Sequence, residues 1–213
     1  MGYRLLLFDF DGTLVDTIGD IAHYVNEVLS DFGRPACSVE QVKHSIGFGV
    51  HELLKGVDPF FTRDHGRLEE AVALFKKQYR EKPVLKTIMY PGVKEALTGP
   101  LGNVRKAIIT NKPQDIALMI LDELDLRRYF DLVIGMNGAH APKPDPSSVF
   151  FSMRQFGIGP ADTVYIGDSR IDGETSKNAG IDFGWVDYGY DEDSGMAPRF
   201  KFSSADEWKK LTC

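Results

Sequence analysis

Short continuous apolar runs alternate with stretches of helical periodicity through most of the chain, and the first such run stands near the amino terminus. Residues 4–10 read as a fully buried strand, because the run is short, apolar and bounded by the turn signal Asp11-Gly12. Runs of the same kind recur at 106–110, 132–135, 164–166 and 183–186. Helices are expected between the later ones, over 113–124 with Pro113 at the first helical position, over 146–156 and over 171–179. Ser204 with Glu207 three residues on has the spacing of a capping box and predicts a last helix toward Leu211. Strand alternating with helix predicts βαβ units, and so an α/β fold with a parallel sheet covered by helices.

Residues 16–90 break this alternation. Ile18, Ile21, Ala22, Val25, Val28, Leu29 and Phe32 fall on one face of a helix that Gly33 ends. Ser38 with Gln41 predicts a second helix, closed near Gly47, and Leu68, Ala71, Val72, Phe75 and Tyr79 mark the inward face of a longer one. The expected organisation is therefore a core built from 1–15 and 91–213, with a small all-helical insertion over 16–90.

Composition narrows what such a protein does. With 213 residues, 43% hydrophobic and 26% charged, the chain matches an ordinary globular domain and not a disordered one. A net charge of −6 disfavours nucleic acid or an anionic membrane as partner, since both demand concentrated Lys and Arg. The apolar run before Asp9 is too short for a signal-peptide core or a membrane span, and two cysteines, Cys37 and Cys213, make no disulfide framework. A cytoplasmic protein is expected, monomeric or homodimeric.

Ligands of open α/β sheets bind beyond the carboxyl ends of the strands, and the residues there are unusually polar. The first strand ends in Asp9-Phe10-Asp11-Gly12-Thr13, the second in Thr110-Asn111-Lys112, and a later one in Gly167-Asp168 with Asp172 beyond it; Lys143 lies in a proline-rich turn. Buried carboxylates in such number call for a divalent ion, and an all-oxygen ligand set suits Mg²⁺. An aspartate so placed can act as a nucleophile toward phosphorus, giving an aspartyl-phosphate. A second carboxylic acid two residues on can protonate the leaving oxygen and then activate water, while Lys143, Thr110 and amides at the start of the helix after Pro113 hold phosphoryl oxygens.

The strings Asp9 to Thr17, Thr110 to Pro113, Lys143-Pro144-Asp145-Pro146 and Gly167-Asp168 with Asp172, in this order, resemble the four motifs of the haloacid dehalogenase superfamily, nearest its phosphoglycolate-phosphatase-like branch, over residues 4–190. The resemblance implies a Rossmann-like core with a mobile helical cap after the first motif. It implies Asp9 as nucleophile and Asp11 as general acid and base. Thr110, Asn111 and Lys143 would bind the phosphoryl group, and Asp9, the carbonyl of Asp11 and Asp168 would ligate Mg²⁺, with Asp172 in support directly or through water. The expected activity is hydrolysis of a small phosphorylated metabolite: a phosphoglycolate-like, sugar or nucleotide monoester. Dehalogenases of the superfamily lack the second aspartate of the first motif, so Asp11 speaks against that chemistry. A hexose-phosphate mutase retains it and stays open as an alternative, as does a non-catalytic binding module on the same fold. The stretch Gly184-Trp185-Val186-Asp187-Tyr188-Gly189 departs from the usual apolar strand ending.

Blander roles compete at single positions. Asp172 could simply favour a helix dipole, Lys143 could be a solvated turn residue, and Asp16 and Thr17 are expected to cap the first insertion helix. The five histidines lack metal-ligand spacing. His44, Phe48 and His51 flank the loop Ser45-Ile46-Gly47-Phe48-Gly49, and the resemblance assigns that region to reading the substrate.

Overall fold

Leu5, Leu6, Leu7 and Phe8 make up the first strand, β1 (Leu5–Phe8), and none has any exposed surface, as a strand covered on both faces requires. The computed structural model describes residues 2–136 and 139–212, so that Cys213 lies outside the described residues. After β1 and β2 (Val15–Asp16) come five helices, α1 (Ile18–Asp31), α2 (Val39–Lys43), α3 (Val50–Val57), α4 (Phe60–Arg63) and α5 (His65–Glu81). The chain continues through β3 (Ile88–Met89), α6 (Val93–Thr98), β4 (Arg105–Pro113), α7 (Gln114–Glu123) and β5 (Leu132–Met136). It ends with α8 (Ser147–Phe156), β6 (Thr163–Gly167), α9 (Arg170–Ala179), β7 (Asp182–Val186) and β8 (Phe200–Phe202). Two compact units result, Met1–Asp16 with Met89–Cys213, and Thr17–Ile88.

The first unit is the α/β fold that the alternation predicts. Its six strands run in the order β5-β4-β1-β6-β7-β8 and every pairing is parallel. From β1 the chain moves outward on one side through β4 and β5, then returns to place β6 on the other side, so the strand order reverses between β1 and β6. Crevices at such a reversal are where doubly wound sheets bind their ligands. One face of the sheet buries Leu5, Leu7, Ala107, Ile109 and Tyr165 against Val149 and Met153 of α8. On the other, the Phe8 ring packs 5.1 Å from Trp208 and 6.0 Å from Phe130.

Four details differ from the sequence expectation. β1 stops at Phe8, which leaves Asp9 and Phe10 to the turn beyond it. β4 runs on to Pro113, with a register shift against β5 between Ile109 and Pro113, so Thr110-Asn111-Lys112 belongs to an irregular strand end. The last segment is a 3-10 helix, Ala205–Leu211, with no capping box: Ser204 makes no side-chain cap, and Glu207 Oε1 instead accepts from the Ser203 amide at 3.1 Å. β8 was not foreseen, because Phe-Lys-Phe is too short to stand out in the pattern.

The second unit is helical apart from Ile88 at its end, which begins β3. The predicted stripe of α1 buries Ile21, Ala22, Val25, Val28 and Leu29, and the predicted face of α5 buries Leu68, Ala71, Val72, Phe75 and Tyr79. The capping box at α2 forms in both directions, with Gln41 N donating to Ser38 Oγ at 3.2 Å and Ser38 N to Gln41 Oε1 at 2.8 Å. Thr17 occupies the N-cap of α1 but makes no side-chain cap there. The buried carboxylate of Asp20 supplies what the sequence did not show. It accepts from the amides of Leu85, Lys86 and Thr87 at 3.1, 2.7 and 2.9 Å and from the Thr87 hydroxyl at 2.6 Å, tying the start of α1 to the chain leaving the unit.

Candidate active site

The parallel register decides which strand ends meet. β1 lies between β4 and β6, so the residues just beyond these three strands share one edge of the sheet. Asp9 follows β1 directly, Asp168 follows β6, and Thr110 to Lys112 close β4. Asp172 is the third residue of α9, where its Oδ2 accepts from the Ser169 amide and hydroxyl at 3.1 and 2.6 Å in a capping box. Asp172 therefore caps α9 while it stands beside Asp9 and Asp168.

Lys143 is the hub. Its ammonium is buried, 2.8 Å from Asp9 Oδ1 and 2.6 Å from Asp172 Oδ1, and lies 5.5 Å from the centre of the Tyr165 ring. It is no solvated turn residue. Asn111 braces the turn that carries it: the side-chain amide donates to the Lys143 carbonyl at 3.0 Å and its oxygen accepts from the Lys143 amide at 2.8 Å. The Thr110 hydroxyl oxygen accepts from the Lys112 amide at 3.1 Å. Asp11 turns to Lys112, whose ammonium is 3.0 and 3.3 Å from its two oxygens in a nearly enclosed ion pair.

Asp168 is seated by two hydrogen bonds, from the Thr13 hydroxyl to Oδ1 at 2.9 Å and from the Tyr190 amide to Oδ2 at 2.8 Å. Gly12, at φ +85°, passes so near that a Cβ there would fall 2.1 Å from Asp168 Oδ2. Only glycine serves at that point, both for the positive φ and for the space.

Electrostatically the cluster is incomplete. Asp9, Asp168 and Asp172 are all buried and offer oxygens within 4.8 Å of one another. Burial above all, then the Asp172 charge, pushes Asp9 up from 3.8 to about 7 despite Lys143. Burial, with Asp9 and Asp172 beside it, pushes Asp168 well above the usual carboxylate range. Burial alone would lower Lys143, but Asp172 and Asp9 hold its ammonium well above the ordinary lysine value. One ammonium thus faces three carboxylates, and Asp9 Oδ1 has no aligned hydrogen-bond donor beyond that ion pair. Three buried oxygens with a deficit of positive charge fit a bound metal ion.

The other predicted site residues lie in the helical unit. His44 and Phe48 are exposed there, His44 with its ring nitrogen Nδ1 2.7 Å from the Glu40 carbonyl, and half-buried His51 pairs with Glu69 at 3.1 Å. The sequence reading gave no role to Thr13, Lys112, Tyr165 or Tyr190, although Thr13 and Lys112 stand in the strand-end strings it singled out. Lys112 had a signal, a second cation beside Thr110-Asn111, and Tyr190 adjoins the stretch that departs from the usual strand ending.

Residues 6–186 match the model of a family described as haloacid dehalogenase-like hydrolase. The chain is 39% identical over 199 residues to phosphoglycolate phosphatase 1 of Pseudomonas aeruginosa, covering 91% of this chain and 73% of that protein. To the phosphoglycolate phosphatase of Pseudomonas syringae pv. tomato it is 35% identical over 215 residues, 98% of this chain and 78% of the other. Among solved structures it superposes on a predicted phosphoglycolate phosphatase from Haemophilus somnus 129pt with a TM-score of 0.92 at 26% identity, covering 99% and 98% of the two chains.

Proposed function

The chain belongs to the haloacid dehalogenase-like hydrolase family, and on that premise we propose that it is a Mg²⁺-dependent phosphatase of a small phosphate monoester, phosphoglycolate or one like it. The observation that carries the reading is the buried group of Asp9, Asp168 and Asp172 around the single Lys143 ammonium. Asp9, the Asp11 carbonyl and Asp168 would hold the ion, with Asp172 behind them, and its charge would offset that of the phosphoryl group.

The chain's own groups supply the steps. An Asp9 oxygen attacks phosphorus, and the bond from phosphorus to the ester oxygen breaks with its electron pair leaving on that oxygen. The Asp11 carboxylic acid gives the departing oxygen a proton, then as carboxylate takes one from a water that attacks the aspartyl-phosphate. Inorganic phosphate and the Asp9 carboxylate are regenerated. Lys112 fixes where the Asp11 carboxylate stands, and Asn111 fixes where Lys143 stands to meet phosphoryl oxygens with Thr110. In the helical unit His44, Phe48 and His51 are proposed to read the leaving group. No helix among the described residues is long and apolar enough to cross a membrane, and a cytoplasmic setting with a small metabolite as partner suits this chemistry.

Phosphate release from an aryl phosphate and a panel holding phosphoglycolate, sugar phosphates and nucleotides, with Mg²⁺ or EDTA, tests the reading. Asp9→Asn is expected to lower turnover by at least about 10³-fold. Turnover unaffected by EDTA, or retained in Asp9→Asn, sinks it.

A further inference from the structure

The segment after β7 has a role that its composition only hinted at. Gly189 runs across Asp168 so closely that a Cβ on it would lie 2.1 Å from the Asp168 Cβ. The next amide, Tyr190 N–H, donates to Asp168 Oδ2 at 2.8 Å, while the Trp185 indole approaches the Asp168 carbonyl at 3.3 Å. The two tyrosines that flank Gly189 reach elsewhere. The Tyr190 hydroxyl donates to Asp16 Oδ1 at 3.1 Å, and the Tyr188 hydroxyl donates to the Thr13 carbonyl at 3.1 Å. The Tyr188 ring also packs 4.8 Å from that of Tyr90. Asp16 is the last residue of the α/β unit before the chain leaves for the helical unit, and Tyr90 is the second after it returns. These two crossings are themselves joined, since the Tyr90 amide donates to the Leu14 carbonyl at 3.2 Å.

We propose that Tyr188-Gly189-Tyr190 is a positioning strap: it fixes Asp168 for a bound Mg²⁺ and links that carboxylate to the chain crossings at Asp16 and Tyr90. The physical basis is geometric. A carboxylate accepting from the Thr13 hydroxyl and the Tyr190 amide has little freedom to rotate, so its remaining lone pairs are aimed before an ion arrives. Because the Tyr190 residue that holds Asp168 by its backbone holds Asp16 by its side chain, order imposed at one end is felt at the other. The inference rests on the cation site of the proposed function but not on turnover.

Full-length wild type, Gly189→Ala and Tyr190→Phe are titrated with MgCl₂ by calorimetry, and amide hydrogen exchange of Leu14–Asp16 and Met89–Tyr90 is followed with and without the ion. In the wild type, Mg²⁺ slows exchange at both crossings. Gly189→Ala is expected to weaken Mg²⁺ binding by about tenfold or more, in the range seen when groups behind a metal ligand are disturbed. Tyr190→Phe keeps the amide, so its Mg²⁺ affinity stays near that of the wild type while the Mg²⁺-dependent protection at Asp16 is lost. Unchanged affinity in Gly189→Ala, or unchanged protection in Tyr190→Phe, overturns the strap; should Gly189→Ala not fold, the Tyr190→Phe arm still decides. A wild type that binds no Mg²⁺ removes the cation site and the strap together. One that binds Mg²⁺ and shows the linked protection but releases no phosphate supports the strap and removes only the phosphatase reading.

Discussion

The α/β unit and the helical unit both bury carboxylates, and they treat them in opposite ways. In the helical unit Asp20 is surrounded by four donors, and Asp58 accepts from Arg34 Nε at 2.7 Å and from the Phe60 amide at 2.9 Å. The Arg34 hydrogen bond holds Asp58 below the usual carboxylate range. In the α/β unit Asp9 and Asp168 are held above it, because burial and neighbouring carboxylates outweigh Lys143 at Asp9 and the Tyr190 amide and Thr13 hydroxyl at Asp168. A buried acid whose partners suffice stabilises a fold; one whose partners fall short is waiting for a cation or a substrate. The contrast singles out Asp9 and Asp168 as candidate site residues without reference to any relative.

The largest test of that contrast is Asp20→Ala. Removing a buried acceptor strands three amides and a hydroxyl, and the helical unit is expected to lose about 3 kcal/mol, read by chemical denaturation with hydrogen exchange on residues 85–87. A loss no greater than that of a surface substitution would show that Asp20 is not the satisfied anchor described. Next comes metal and pH. Asp9 binds its proton more tightly in the metal-free folded protein than when unfolded, so the stability tied to that proton is present at low pH and is lost as pH rises through about 7. Mg²⁺ must displace the proton, so at one fixed Mg²⁺ concentration a hundredfold above the Kd at pH 8, the stabilisation, up to about 2.7 kcal/mol there and read as a rise in Tm, should be larger near pH 8 than near pH 5.5. Equal shifts at both pH values would break the contrast from the α/β side. The smallest effect belongs to Ser38→Ala, which removes one direction of the α2 capping box and should cost about 1 kcal/mol in a thermal melt, with kcat/KM moved only if the adjoining loop reads substrate.

Much of the site was legible because it is local in sequence. Asp9-Phe10-Asp11-Gly12-Thr13 sits on one turn, and a turn after a buried strand is visible in the apolar pattern alone. Lys112 was harder, since nothing in a linear string says that a side chain on β4 will reach back 101 positions to Asp11. Tyr190 was harder still, since its two bonds span 22 and 174 positions. The capping boxes teach the same lesson at short range. Ser38 and Ser204 carry equivalent signals, yet only the first forms its cap, because the segment after Ser204 tightens into a 3-10 turn and Glu207 reaches Ser203 instead.

By itself the sequence determined the alternation of strand and helix, the helical insertion, and the set of acids and cations at the strand ends, because each of these is a matter of periodicity, turn chemistry and residue type over a few positions. Tertiary structure alone decided the partners: that Lys143 stands between Asp9 and Asp172, that Lys112 holds Asp11, that Asn111 braces a turn and that a glycine between two tyrosines lies against Asp168. These pairings depend on strand order and register, which place β1 between β4 and β6, and sheet order is set by the packing of the whole chain and not by any one segment of it.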